Sequence, residues 1–188
     1  MADRGAPRDR ARIDTVVLRS LRPDDEPSAL AAHRALAAEN FAFLLGWEPD
    51  EPSWDGYLSR RESQRLGRGL TGDWVPSTFL VATVDGTIVG RVSIRHELND
   101  FLAEFGGHIG YAVLPEFRRR GYATEILRQA LSVAGRLGLD RVLVTCDEDN
   151  IASARVIERC GGVLESLIDQ PSGPQLRRYW IETRATTQ

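Results

Sequence analysis

A strand, a basic turn, an amphipathic helix and a second strand follow one another in the middle of this chain. The apolar run Ile109–Leu114 predicts the first strand. From Ala123 to Leu137, apolar residues recur at helical spacing, and Gly138 ends that pattern. Arg141–Cys146 predicts a second strand. A helix between two strands favours an α/β fold in which the helix packs on the sheet.

The turn before this helix, Arg118–Ala123, predicts an anion site. The start of a helix presents unpaired backbone N–H groups and the positive end of the helix dipole. Gly121 lacks a Cβ, so a phosphate can approach its backbone, and Ala123 is nearly as small. Arginine side chains add charge and forked donors. We expect the anion to be a pyrophosphate, and the alternative is a capped helix behind a solvated basic turn.

The last part of the chain predicts a second helix and a terminal hairpin. Asn150–Ser153 opens the helix, and Cys160–Gly162 ends it. Strand-like segments follow at Val163–Ile168 and Leu176–Ile181, joined by the turn-rich stretch Gln170–Pro174.

The first half contains strand, helix and hairpin patterns. Ile13–Leu21 is strand-like, and Pro27–Glu39 predicts an alanine-rich helix. Thr78–Val84 and Thr87–Ile94 predict two strands around Asp85-Gly86, a turn pair that tolerates positive φ. We expect residues 1–12 to form a flexible tail and residues 13–188 to form a single domain.

The turn and the second helix together resemble the GCN5-related N-acetyltransferases. Pro115–Glu125 is similar to that family's acetyl-coenzyme A (acetyl-CoA) signature, and Asn150–Ser153 is similar to its second cofactor-side motif. The resemblance implies an α/β (α+β mixed) fold. In it a central, mostly antiparallel mixed sheet is flanked by helices and splayed at the cofactor cleft. It also implies transfer of an acetyl group from acetyl-CoA to a primary amine, by direct attack in a ternary complex and without a metal.

The resemblance assigns the cofactor mainly to the backbone. It implies that amides at Val113 and Leu114 hold the acetyl carbonyl and the pantetheine arm, and that the Arg118–Ala123 turn holds the pyrophosphate. The full set of expected cofactor-binding residues is Val113, Leu114, Arg118, Arg119, Arg120, Gly121, Tyr122, Ala123, Thr124, Asn150 and Ser153.

The expected chemistry needs a base for the incoming amine. His108, at the start of the strand before the turn, is the first candidate, because imidazole titrates near neutrality. Glu104 and Glu97 are the other candidates, since a carboxylate in a partly apolar cleft can have a raised pKa. The alternative is that these residues build a polar loop, and water relays the proton.

In the expected chemistry, a general acid can protonate the departing thiolate. Relatives often carry a tyrosine where this chain has Ile157. Ser153 is the candidate that remains on this helix, and its alternative role is in a helix cap with Asn150. The unusual Ile157 keeps a second function open, a CoA-binding regulatory module without turnover.

The segment Phe41–Pro76 is expected to select the acceptor. Its aromatic residues can line a pocket, and its arginines can hold an acidic group, the candidates being Trp47, Trp54, Tyr57, Trp74, Arg60, Arg61, Arg65 and Arg68. Alternatively, the helical spacing of Trp54, Tyr57 and Arg61 means that one face simply covers the sheet. The acceptor is expected to be a small-molecule or peptide amine. An aminoglycoside would favour acidic residues in the cleft, and clustered arginines would argue against it.

Composition excludes several classes of protein. A net charge of -3 gives no basic field for nucleic acid, and the absence of a long apolar run argues against a membrane protein. The turn lacks both the lysine-containing phosphate loop and the three-glycine dinucleotide fingerprint. Cys146 and Cys160 are expected to be small buried residues, with a nucleophilic role for Cys146 as the alternative. We expect a cytoplasmic enzyme, with a homodimer possible through exposed strand edges.

Overall fold

The computed structural model describes residues 15–48 and 50–183, which form seven strands and four α-helices in alternating layers. The strands are β1 (Val17–Arg19), β2 (Ser77–Val84), β3 (Thr87–Arg95), β4 (Ile109–Val113), β5 (Arg141–Asp147), β6 (Val163–Ile168) and β7 (Leu176–Glu182). The helices are α1 (Glu26–Ala37), α2 (Trp54–Arg65), α3 (Tyr122–Arg136) and α4 (Ile151–Arg159). The elements expected from the sequence are therefore confirmed, most of them to within a residue or two.

The strands form two antiparallel sheets, ordered β1-β2-β3-β4 and β5-β7-β6. The predicted hairpin joins β2 to β3, and its turn residues Asp85 and Gly86 have φ of 47° and 83°. Positive φ at both positions matches the twist of the flanking strands. The terminal hairpin is confirmed as well, with β7 inserted between β5 and β6.

The two sheets meet at His108. The backbone N–H of His108 donates to the Leu143 carbonyl at 2.7 Å, and the backbone N–H of Leu143 donates to the ring Nδ1 of His108 at 2.9 Å. Beyond this point no ladder joins β4 to β5 in the part of the chain that the structure describes. The strands therefore diverge and leave a gap, which confirms the expected splayed sheet.

Helices cover both faces of the divided sheet. On one face α3 and α4 bury a continuous apolar cluster that includes Ile126, Leu127 and Ile157, each 0% exposed. Each such side chain contributes about 1.5–3 kcal/mol relative to an exposed one. On the other face α1 and α2 pack over β2 and β3, with Tyr57 at 0% and Trp54 at 5% exposure. These two aromatics cover the sheet, which confirms the structural interpretation of α2.

The first strand is shorter than expected. Ile13–Leu21 was predicted, whereas β1 has three residues, Val17–Arg19. The chain leaves the sheet because Pro23 begins a 3₁₀ turn, and Asp25 anchors that turn by accepting from the Arg22 N–H at 2.8 Å. The predicted tail at residues 1–12 lies outside the described residues.

Candidate active site

The turn before α3 has the geometry of an anion site. Gly121 is in the left-handed region with φ 84°, and Arg119 also has positive φ at 67°. A Cβ added to Gly121 would meet no atom within 4 Å, so open space lies beside its backbone. The first turn of α3 faces the same region with its N–H groups and dipole. A phosphate group fits these features.

The three arginines of the turn have different surroundings. Arg118 is exposed, but its Nε donates to the Val113 carbonyl at 3.1 Å. Its Nη atoms bond the Glu39 carboxylate of the loop after α1 at 3.0 and 2.6 Å. Arg119 is exposed, and Arg120 is exposed with its guanidinium 5.6 Å from the Phe117 ring centroid. All three arginines are thus at the surface, and Arg118 fixes the turn through its bonds to Val113 and Glu39.

The two amides predicted to face the thioester differ in availability. The Leu114 N–H already donates to the Val89 carbonyl of β3 at 2.9 Å. Because backbone groups alternate along a strand, the Val113 N–H points the other way, into the gap between β4 and β5. Of the predicted pair, the geometry therefore supports Val113 and does not support Leu114.

A pair of hydroxyl groups connects β4 to α4. The Tyr111 hydroxyl on β4 lies 3.0 Å from Ser153 Oγ on α4. Ser153 is positioned by the start of α4, where its N–H donates to the Asn150 side-chain oxygen at 3.0 Å. Asn150 is therefore the helix cap, as its alternative interpretation proposed, and the side chain of Ser153 reaches Tyr111.

Tyr111 is the functional candidate that the sequence interpretation missed. Ile157, at the position where relatives often carry a tyrosine, is fully buried in the core. A hydroxyl from the neighbouring strand occupies the gap instead. Burial raises the pKa of Tyr111, so its hydroxyl stays protonated and can donate. Alternation along β4 places Tyr111 on the same face as Val113, a signal that was present in the sequence.

His108 clamps the two sheets together. Because its Nδ1 accepts from Leu143, the neutral ring carries its proton on Nε2 and presents a donor there. Burial and the nearby Arg95 charge lower the pKa of His108 to about 4. At neutral pH this ring has no free basic nitrogen, so the geometry argues against His108 as the base.

The two glutamates proposed as bases are at the surface. Glu97 follows β3 and is exposed. Glu104 is exposed in the π-helical turn Leu102–Gly106 and lines a shallow hollow with Asp100 and Arg178. The structure thus brings Ser153 beside Tyr111, but it does not gather His108, Glu97 and Glu104 around one point.

Neither cysteine has the surroundings of a nucleophile. Cys146 is 8% exposed, and burial raises the pKa of its thiol to about 11. Cys160 is half-buried rather than buried, which corrects that part of the expectation, and its pKa is also raised by burial. Within residues 15–48 and 50–183, no group of His, Cys, Asp and Glu side chains is arranged to hold a metal ion.

Comparison with known proteins decides the family. Residues 15–163 match the family of the acetyltransferase (GNAT) domain. An uncharacterized N-acetyltransferase of Bacillus subtilis (strain 168), YnaD, is 34% identical over 132 residues, covering 68% of this chain and 73% of that protein. The chain belongs to the GNAT acetyltransferase family.

Solved GNAT structures share the fold. Mycobacterium smegmatis RimJ in complex with CoA-disulfide superposes with a TM-score of 0.67 at 22% identity, over 94% of this chain and 86% of that chain. The putative acetyltransferase yncA from Salmonella typhimurium with its cofactor acetyl-CoA superposes with a TM-score of 0.63 at 17% identity, over 92% and 96%. This GNAT protein is an acetyl-CoA-dependent N-acetyltransferase. No helix in its described segments is long and apolar enough to cross a bilayer.

Proposed function

We propose that this GNAT enzyme uses the gap between β4 and β5 for direct attack of a primary amine on acetyl-CoA. Bound acetyl-CoA supplies an activated thioester. The observation that supports this reaction site is the Tyr111–Ser153 hydroxyl pair, 3.0 Å apart, beside the turn that fits a pyrophosphate. The new C–N bond forms as the C–S bond breaks, and one proton leaves the amine nitrogen.

Each polar group of the gap has a proposed role. The Val113 N–H donates to the acetyl carbonyl and stabilises the negative charge that develops there. The Tyr111 hydroxyl donates a hydrogen bond to the departing sulfur. Full proton transfer from Tyr111 is unfavourable, because its raised pKa exceeds that of a thiol, about 8.5. Ser153 orients the tyrosine hydroxyl and connects it to solvent.

We propose that water carries the proton away from the amine. The surface positions of Glu97 and Glu104 let either residue accept that proton, whereas the bonded Nδ1 of His108 does not. The cofactor phosphates are proposed to bind the backbone from Arg119 to Thr124, with the exposed Arg119 and Arg120 adding charge.

The test is thioester cleavage by wild type, Tyr111→Phe and Tyr179→Phe enzymes. Tyr179 is a matched control, because its hydroxyl also bonds a side chain of α4, the Glu158 carboxylate, at 3.1 Å. Removing the Tyr111 donor is expected to lower kcat by about 10²-fold, leaving the Kd of acetyl-CoA unchanged. Tyr179→Phe should retain kcat. Equal kcat for all three proteins would contradict the role of Tyr111, and binding without any turnover would support the regulatory module.

We also infer a homodimer in the cytoplasm. The edge strand β6 exposes Val163, Leu164 and Leu167 at 70%, 43% and 42%, and an exposed apolar edge favours pairing with a second copy. The free thiols of Cys146 and Cys160 fit a reducing compartment. Light scattering of wild type and Leu164→Lys protein tests the dimer, and a wild-type monomer at micromolar concentration contradicts it.

A further inference from the structure

Three arginines lie on the α1 and α2 side of the sheet without a balancing carboxylate. Arg61 of α2 is 9% exposed, Arg91 of β3 is 4% exposed, and Arg95 of β3 is half-buried. Among residues 15–48 and 50–183, none of the three forms an ion pair. We call Arg61, Arg91 and Arg95 the arginine cluster. Buried charges are normally paired, so this cluster requires an explanation.

Two members of the cluster, Arg91 and Arg95, lie over β4 on the face opposite the Tyr111 hydroxyl. A Cβ built on Gly110 would be 3.8 Å from Arg91 Nη1 and 4.0 Å from Arg95 Nη1. Gly110 immediately precedes Tyr111, whose hydroxyl is on the opposite face with the α4 serine. The guanidinium groups of Arg91 and Arg95 thus lie above the middle of β4, on the face that α1 and α2 cover.

Arg61 lies on α2, within reach of two aromatic rings. Its guanidinium lies 5.8 Å from the Tyr57 ring centroid and 5.2 Å from that of Trp74. Burial raises the pKa of Tyr57 to about 12, and the positive charges of Arg61, Arg60 and Arg91 act in the opposite direction. Tyr57 is therefore within electrostatic reach of all three guanidinium groups.

The hydrogen-bonding capacity of these side chains is only partly used. Arg91 donates to the Gly110 and Ala42 carbonyls at 3.0 Å, yet its Nε has no partner. All three nitrogens of the Arg61 guanidinium lack partners, as does Oγ of Ser93, which lies between Arg91 and Arg95 on β3. An unbonded buried guanidinium is costly, and a ligand that bonds it would remove that cost.

The adjacent arginine shows that the lack of partners is local. Arg60, the residue before Arg61, bonds both oxygens of Glu51 and the Gly46 carbonyl at 2.5–2.8 Å. Glu39 is likewise bonded to Arg118. The carboxylates of Glu51 and Glu39 are therefore already neutralised, and a second positive charge on an acceptor would meet repulsion from the arginine cluster.

We propose that the acceptor is a small amine that also carries a carboxylate, which binds Arg61 while the amine points to the β4–β5 gap. This proposal rests on the proposed function and names its substrate class. A guanidinium matches a carboxylate with two parallel hydrogen bonds. The rings of Tyr57 and Trp74 beside Arg61 give the same place an apolar wall. Polyamines and aminoglycosides lack the anion and add positive charge, so they are excluded as preferred acceptors.

Binding of benzoate tests the anion site without knowledge of the acceptor. At constant ionic strength, benzoate should raise the Tm of the wild-type protein, and benzylamine should not. The matched variants are Arg61→Met and Arg65→Met, on the same helix, since Arg65 is at the surface and paired with Glu62. The benzoate shift should disappear in Arg61→Met and persist in Arg65→Met. A shift that is absent from wild type, or unchanged in Arg61→Met, overturns the proposal.

The same variants separate a ligand site from a structural role. Replacing an unpaired buried charge by an apolar side chain of similar length is expected to leave Tm equal to or above that of wild type. A structural arginine would instead give a lower Tm on removal. Arg61→Lys keeps the charge but loses the paired N–H donors of the planar guanidinium. This variant should therefore bind benzoate weakly at an unchanged Tm.

Matched acceptors test the substrate class directly. L-phenylalanine, L-tryptophan and L-leucine are compared with phenethylamine, tryptamine and isoamylamine, which differ from them only by the carboxylate. We expect kcat/KM for at least one amino acid to exceed that of its amine by about 10²-fold, and this preference to vanish in Arg61→Met. Preferential acetylation of the plain amines or of spermidine overturns the proposal. Acetyl-CoA should stabilise wild type and Arg61→Met equally, and failure of that control counts against the proposed function instead.

Discussion

Protonation of His108 should destabilise the folded protein in mild acid. The pKa of this imidazole is about 4 in the fold and 6.5 as its ordinary value. At 1.36 kcal/mol per unit, the difference of about 2.5 units corresponds to at most about 3 kcal/mol. The unfolded chain takes up this proton below about pH 6.5, and the folded chain only near pH 4. The contribution of neutral His108 to the free energy of unfolding is therefore fully present above pH 6.5 and is lost as the pH falls toward 4.

Urea unfolding of wild type and His108→Gln at about pH 7 and about pH 4.5 measures this contribution. Glutamine does not titrate, so the free energy of unfolding should fall by about 2 kcal/mol more in wild type than in the variant over this range. Taking the difference between the two proteins cancels the other titrating groups, including the two remaining histidines, His33 and His96. An NMR titration midpoint of His108 near 6.5, or a fall in rate at low pH that disappears in His108→Gln, would contradict this account and support His108 as the base.

Three further predictions concern glycines and a thiol. Gly107→Ala should cost about 2–3 kcal/mol, because its φ is 63° and a Cβ would meet the Leu143 carbonyl at 2.6 Å. Gly69→Ala, with the same φ in open space, should cost only about 1 kcal/mol in the same urea assay. Gly121→Val should raise the Kd of acetyl-CoA at least about tenfold by calorimetry, whereas Gly161→Val, equally strained, should leave it unchanged. Cys146→Ala should retain kcat, and loss of activity would support a nucleophilic role for Cys146.

Local patterns were enough to predict most of the fold. The hairpin at Asp85-Gly86 requires positive φ at both residues, and the sequence states that requirement directly. The apolar stripe of α3 and the glycine after it specify where that helix lies and ends. The length of β1 was not predictable in the same way, because the Asp25 contacts that hold the following turn depend on Arg19 and Arg22.

The site depended more on contacts between distant residues. His108 looked like a base because its type suits that role, but its Nδ1 accepts from Leu143, which is 35 positions away. Tyr111 became a candidate only when α4 placed Ser153 against it. The arginine cluster combines α2 with β3, and sequence alone does not reveal which arginines lack carboxylates. Residue types predicted the reaction, whereas packing determined which residues can perform it.

A crystal structure with bound acetyl-CoA tests the central claim most directly. The account predicts the pyrophosphate on the backbone of residues 119–124. It also predicts the thioester between β4 and β5, with its sulfur within hydrogen-bonding distance of the Tyr111 hydroxyl, about 3.5 Å. A pyrophosphate bound away from this turn, or a sulfur remote from Tyr111, would contradict the account.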